Sequence, residues 1–249
     1  PPSSSPVELP YDVDVVSNHG LPEAYCEMEK DFTYPGELFP KTLTVDNTTF
    51  NFGSTEANAR NALTCNGQTV SLSVENRNRV YFLAASSGKD TLADFVLAGD
   101  TVELRVPRYE GWVGQWWKNH ATESEYVKRS NIAWYGSHRH KVKEANNGGI
   151  EEVQNTTYNF CYMFKYRLDI PKNAGQSVNL QLPNNPEIKI FALSVAGNEN
   201  DYTVPISGDF PVAMDVADNT DFVVSVEKED GNQSVESGEA GGGVFRSGV

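Results

Sequence analysis

The 249-residue chain is 39% hydrophobic and 11% aromatic and carries a formal net charge of −14, a composition that fits one large globular domain or two small ones. So acidic a balance argues against nucleic acid or an anionic membrane surface as partner, because phosphates are repelled over most of the surface. No apolar run approaches the roughly 20 residues that a membrane-spanning helix needs, and no basic-then-apolar leader follows Pro1, so any signal peptide is expected to be removed or to lie outside this sequence.

In chain order, Pro1 to Pro6 reads as a linker, stiffened by Pro and solvated by Ser. Val7 to Val16 alternates well enough for one or two opening strands around Pro10, and turn residues from Ser17 to Pro40 predict a long irregular loop. Thr42 to Phe52 predicts a hairpin: Leu43 and Val45 alternate, Asp46-Asn47 supplies the turn, and Phe50 and Phe52 resume the alternation. Glu56 to Leu63 has room for one helical turn and no more. Strands follow at Val70-Leu72-Val74, Val80 to Ala85 and Val102-Leu104-Val106.

The stretch from Tyr109 to His140 stands apart. It holds all four tryptophans (Trp112, Trp116, Trp117, Trp134) and His120, His138 and His140. From Arg105 to Lys143, eight Lys/Arg stand against three Glu, a local balance of +5. Indole faces beside guanidinium and imidazole donors suit a sugar, whose C–H faces stack on rings while planar donors hold hydroxyls or carboxylates. The bland reading is that the tryptophans plug a joint between β-layers.

The clearest strand is Tyr158 to Leu168, where Tyr158, Phe160, Tyr162, Phe164, Tyr166 and Leu168 take every second position. A helix would scatter those rings around its circumference, so a central strand is expected, ended by Asp169-Ile170-Pro171. Gly67 to Leu72 is repeated as Gly175 to Leu180 at an offset of 108, which holds without a gap through Ser86/Ser194. This repeat predicts two related lobes. Further strands are expected at Val212 to Val216 and Phe222 to Val226. Glu187 to Ala240 carries twelve acidic residues against Lys189 and Lys228. Asp209, Asp215, Asp218 and Asp221 offer structural calcium the oxygens it prefers, but no D-x-[DN]-x-[DN]-G loop is present and a solvated acidic face is expected.

Cys26, Cys65 and Cys161 are isolated, without C-x-x-C spacing; three buried thiols are preferred over the alternative of one disulfide and a buried thiol. No phosphate-binding loop, nucleophile elbow or H-E-x-x-H motif occurs. His138-x-His140 puts two imidazoles on one strand face, a spacing that can hold a metal, but two ligands do not make a site and no third is visible. Glu110 is the candidate acid of a hydrolase, and Tyr135, His138 and Arg139 are the candidate base and carboxylate-neutralising groups of a lyase.

Several segments together look like a known arrangement. They are Leu9-Pro10-Tyr11-Asp12-Val13-Asp14-Val15-Val16, Asn61 to Gln68, Gly111-Trp112-Val113-Gly114-Gln115-Trp116, Ile132 to His140, the aromatic strand through Pro171, and Leu182-Pro183-Asn184 with Ile188 to Ala192. Over roughly residues 7 to 200 they resemble the C-terminal all-β region of bacterial enzymes similar to family 38 α-mannosidases. The resemblance implies a non-catalytic, galactose-binding-like β-sandwich region working beside a glycosidase. It implies no catalytic or zinc residue here, because that family's catalytic domain is absent from this sequence.

The expectation is therefore an all-β protein of two related β-sandwich or jelly-roll lobes. Residues 1–6 form a linker, 7–108 the first lobe, 109–145 a Trp/His-rich junction, 146–230 the second lobe and 231–249 a flexible tail. The expected function is a non-catalytic carbohydrate-binding module of a secreted or periplasmic bacterial glycan-degrading enzyme, with that enzyme's catalytic domain as partner. Its ligand would be a polysaccharide or oligosaccharide, an acidic one being favoured by the local basic balance. Trp112, Trp116, Trp117, Trp134 and Tyr135 are the stacking candidates, and His138, Arg139 and His140 the polar ones. A polysaccharide lyase or hydrolase in its own right, and a purely structural domain packed on a catalytic one, are the alternatives.

Overall fold

Apolar alternation is realised as strand throughout the computed structural model, which describes residues 4–20, 23–24, 26–111, 131–146, 148–156, 159–197, 221–227 and 233–239. Among these residues the regular structure is all β. In chain order the strands are β1 (Ser4–Val7), β2 (Val16–Ser17), β3 (Phe32–Pro35), β4 (Thr42–Val45), β5 (Thr48–Asn51), β6 (Leu63–Asn66), β7 (Thr69–Ser73), β8 (Arg79–Ser86), β9 (Thr91–Leu97) and β10 (Asp100–Val106). There follow β11 (Ile132–Gly136), β12 (Arg139–Glu144), β13 (Ile150–Thr156), β14 (Cys161–Asp169), β15 (Ser177–Gln181), β16 (Asn184–Ala196), β17 (Asp221–Glu227) and β18 (Gln233–Glu239).

The main sheet runs β1-β16-β8-β14-β11, with β6 also on β16, and a second sheet runs β10-β9-β15-β7. Strand β8 is buried along almost its whole length because it is central and covered on both faces. Its Phe82 ring stacks on Tyr166 of β14 at 5.0 Å and meets Phe95 of β9, in the facing sheet, at 4.9 Å. Tyr166 is buried and donates its O–H to the Arg105 carbonyl of β10 at 2.9 Å. These contacts make the two sheets a β-sandwich.

Over the other face lies the β4–β5 hairpin. Its turn residues Asp46 and Asn47 both have positive φ, 47° and 60°, as a two-residue type I′ turn requires, and Val45 pairs with Thr48 as the sequence predicts. Lys165 of β14 is buried beneath this hairpin, where its Nζ reaches Asp46 at 3.2 Å and lies over the Tyr81 ring. A third sheet, β13-β12-β3-β2, completes the molecule up to Ala196 and carries the His138–His140 region.

The structure differs from the sequence reading at both ends of the chain and within the stretch expected to be irregular. Ser4–Val7, expected within or beside a linker, pairs antiparallel with Leu193–Ala196, and Pro6 is tolerated because β1 is an edge strand. Strand β3 and Ser17 of β2 lie inside the stretch expected to be irregular; the two strands are too short to alternate visibly. Gln233–Glu239, expected in a flexible tail, pairs with Asp221–Glu227.

The repeated segments do not close as separate units. Strand β7 pairs antiparallel with its own repeat β15, with Ser71 opposite Asn179, and β8 pairs with its repeat β16. Both sheets thus interleave strands from before residue 108 and after residue 146. In place of the helical turn expected near Glu56 there is a tight turn, with Ala59 N–H donating to Glu56 O and Asn58 at a φ of 63°. All three cysteines are buried free thiols.

The N-terminal segment is clamped by a buried carboxylate. Asp14 Oδ1 accepts from Asn61 Nδ2 at 2.6 Å and from Val16 N–H at 3.1 Å, while Asn61 Oδ1 accepts from Val15 N–H. Burial pushes the Asp14 carboxyl up to about 6, against the pull of the Val16 and Asn61 donors.

Two predictions follow from this packing. Phe82→Ala removes a fully buried ring and is expected to cost about 3–5 kcal/mol in urea or guanidinium unfolding. For Asp14, the raised carboxyl binds its proton more tightly folded than unfolded. Its contribution therefore falls as pH rises from about 4 to about 6 and is level above that. In paired denaturation series, the stability of the native protein relative to Asp14→Asn should decline across that window; a flat difference contradicts the assignment.

Candidate functional site

The candidate residues lie on β11, β12 and the turn between them. Trp112, Trp116 and Trp117, with His120, lie outside the described residues. Among the described residues, strand β11 is the edge of the main sheet, paired on one side only, with β14. Its Tyr135 is 62% exposed, the most open of the large hydrophobic side chains among the described residues. Trp134 turns the other way. Half-buried, it packs near Tyr34 (6.0 Å) and Phe39 (6.4 Å). A Cβ at Gly136 would come within 2.9 Å of the Trp134 ring and 2.8 Å of Cys161 Sγ. Glycine is what lets the indole fold back onto the strand.

Arg139, expected to face a glycan carboxylate, faces the protein's own. Its Nη1 lies 3.2 Å from Glu29 Oε2 and donates to the Tyr109 hydroxyl at 2.7 Å, and its guanidinium sits 3.8 Å over the Phe32 ring. Arg108 completes a charge quartet, donating to Glu29 Oε1 at 2.5 Å and to Glu110 Oε1 at 2.7 Å, while Arg139 Nη2 stands 3.6 Å from Glu110. Tyr109 is buried, which pushes its phenol well up, so it remains a donor and reaches Glu29 Oε2 at 3.1 Å. Glu110, the candidate acid, is thus held between two guanidiniums, its Oε1 on Arg108 and its Oε2 facing Arg139.

His140 is fully buried. It sits in a polar row that crosses the third sheet: Asn155 of β13 and Thr33 of β3 are its two cross-strand partners, and Ser17 of β2 bonds Thr33 Oγ1 at 2.6 Å. Its Nδ1 faces Ser17 Oγ (2.9 Å) and the Ser17 carbonyl (3.1 Å). Its Nε2 stands 3.2 Å from Glu37 Oε1, and His138 Nε2 approaches that same oxygen at 2.8 Å. His19 packs edge-on to His140, with ring centroids 4.6 Å apart, and its Nε2 is 2.6 Å from Asn155 Oδ1. Burial lowers the His140 pKa and Glu37 only partly restores it. Burial raises the Glu37 carboxyl, but its own backbone N–H and His138 together hold it below the usual value.

Sequence reasoning reached His138 and His140 through their spacing but missed His19 and Glu37. Neither stands in a periodic or motif context, and each comes from a loop more than a hundred positions away. Of the acidic residues considered for calcium, Asp209, Asp215 and Asp218 lie outside the described residues.

A second feature carries no sequence signal. Next to the quartet opens a cleft of about 810 Å³ lined by Lys30, Arg60, Lys189, Asp12, Glu27 and Asn58 among others, with no aromatic ring among its lining residues. Burial lowers the Lys189 ammonium and raises the Glu27 carboxyl.

A family model described as an AziU2-like β-sandwich domain matches residues 3–199. The matched span runs from β1 to just past the end of β16, the two strands that pair at one side of the main sheet. No curated protein matches the chain.

The quartet makes Arg139 a structural group. Arg139→Ala is expected to leave Glu29 and Glu110 half-neutralised and to cost about 2–3 kcal/mol in chemical unfolding, discounted from the fully buried case because both carboxylates are partly exposed. Arg139→Lys should recover only part of this, since an ammonium cannot span two carboxylates and a phenol. Unchanged stability in Arg139→Ala would show the guanidinium to be spare.

Proposed function

The chain belongs to the AziU2-like β-sandwich domain family, and we propose that it acts there as a non-catalytic, carbohydrate-binding accessory domain of a secreted or periplasmic glycan-degrading enzyme. The observation that carries this reading is the polar cleft. Its volume of about 810 Å³ falls in the range of small-ligand sites, roughly 300–1,000 Å³. Each hydroxyl of a sugar both donates and accepts, so it needs donors and acceptors on the same wall. Lys30, Arg60, Lys189 and the Asn58 amide supply donors, while Asp12, Glu27 and Glu187 supply acceptors. An apolar ligand would leave these charges desolvated without partners.

Non-catalytic binding is favoured over turnover by the commitments of the charged residues. Arg139 and Glu110, the groups on which a lyase or hydrolase would draw, are bound to each other and to Arg108 and Glu29. The resemblance to the β-region of mannosidase-like enzymes supports a glycan-degrading parent, with its catalytic domain as the partner.

A second location is favoured by one observation: Tyr135 stands 62% exposed on an edge strand, the placement of a stacking platform. The two are separated by affinity electrophoresis against neutral and acidic polysaccharides in the presence of a chelator, with reducing ends assayed on the same samples. Retardation without new reducing ends is expected. Arg60→Ala, at an exposed position, should weaken it about 10-fold or more, the worth of a charged hydrogen bond. Loss in Tyr135→Ala with full retention in Arg60→Ala moves the glycan to the edge strand. New reducing ends, or no retardation on any glycan, overturn the reading.

A further inference from the structure

Away from the cleft, the third sheet gathers His19, Glu37 and His140 so that one ligand atom from each lies within 4.8 Å of the others. We propose that these three side chains form a binding site for a divalent first-row transition ion of the zinc type, with His138 and Asn155 holding the ligands in place.

The hydrogen bonds set which ring nitrogens can serve as ligands. The Ser17 carbonyl can only accept, so His140 Nδ1 carries the proton that meets it at 3.1 Å. With Nδ1 so engaged, Nε2 is the nitrogen that faces Glu37 Oε1, 3.2 Å away, and an imidazole nitrogen and a carboxylate oxygen so placed can share one cation. Asn155 Oδ1 likewise takes the Nε2 proton of His19 at 2.6 Å, leaving His19 Nδ1 as the nitrogen free to ligate. His138 donates to Glu37 Oε1 at 2.8 Å and fixes that carboxylate. Imidazoles whose second nitrogen is held by a backbone carbonyl or an amide, and a carboxylate held by a neighbouring donor, are the outer-shell arrangement of metal sites.

The ligand types set the class of ion. Two imidazoles and one carboxylate suit zinc and its first-row neighbours, whereas calcium and magnesium prefer oxygen alone. An ion bound at about 2.1 Å to three atoms in a tetrahedral arrangement holds them about 3.4 Å apart. Closing on it takes a movement of about an ångström or a little more from His19 and Glu37, which are exposed and border solvent, while His140 stays fixed in the sheet. The exposed side also gives the ion its way in. Three protein ligands leave a further coordination position for water or for an oxygen of a bound molecule.

The test uses the untagged full chain, stripped with chelator and titrated with Zn²⁺ by calorimetry, and with Co²⁺ followed by visible absorption. One equivalent should bind, and Co²⁺ should develop d–d bands without the near-ultraviolet thiolate band that binding by a cysteine would give. His19→Ala and Glu37→Ala, both at exposed positions, should each weaken Zn²⁺ at least 100-fold while unfolding as cooperatively as the parent. His138→Ala and Asn155→Leu should weaken it about 10- to 100-fold, the usual worth of outer-shell partners. His140 is left unchanged because its removal would disrupt the sheet. The proposal is overturned if no equivalent of Zn²⁺ binds at submillimolar concentration, or if it binds equally well to His19→Ala and Glu37→Ala.

Discussion

The hydroxyl of Tyr34 fixes the relation between the candidate site and the sandwich. Tyr34 belongs to β3 in the third sheet, is wholly buried, and donates to the carbonyl of Tyr162 on β14 at 2.7 Å. Its ring meets Phe39, Tyr109 and Phe191 edge-on, with centroids 5.2 to 5.8 Å away. Edge-to-face contacts of this kind are directional, so the third sheet is held at a set angle on the main one. Burial keeps the phenol protonated and the donor intact. Everything that β3 and its neighbours present, from Thr33 and Ser17 to the His140 row, takes its position from that anchor.

Electrostatics follow the same pattern of distant groups meeting. The basic balance of the stretch from Arg105 to Lys143 invites an external acidic ligand, yet Glu29, from a loop before β3, pairs with Arg108 and Arg139, and Glu37, from a turn after it, accepts from His138. A local charge count sees only neighbours along the chain, whereas the fold brings carboxylates from a hundred positions away. The mixed-charge wall of the cleft adjoins this network and shares Glu29 and Arg108 with it.

Elements with strong local signals were legible in the sequence. The Asp46-Asn47 hairpin, the alternation of β7 and β10, the apolar run of β8 and, from Cys161 on, the aromatic strand β14 form where the sequence pattern puts them. Strands β2 and β3 escaped because two and four residues are too few for a period, and their pairing is shaped by Ser17, Thr33 and Tyr34 instead of by an apolar stripe. The offset of 108 correctly identifies equivalent strands, but sequence similarity does not say whether equivalents pair within separate units or with each other; here they pair with each other. At the site, the spacing of His138 and His140 was visible and their partners were not, since His19 and Glu37 are recruited by tertiary structure alone. Trp134 shows the converse: an aromatic signal read as a surface that packing against Phe39 and Tyr34 turned inward.

The position of β8 has a consequence in time. Both of its hydrogen-bonding edges are taken by strands that come later in the chain, β14 and β16. Closing the main sheet therefore means closing loops of some 80 to 110 residues, which makes the fold slow to nucleate. During synthesis at ~5–20 residues per second, β8 leaves the ribosome ~5–20 s before its last partner exists. For that interval an apolar, two-edged strand has nothing of its own chain to pair with, and it is the segment on which a chaperone would act.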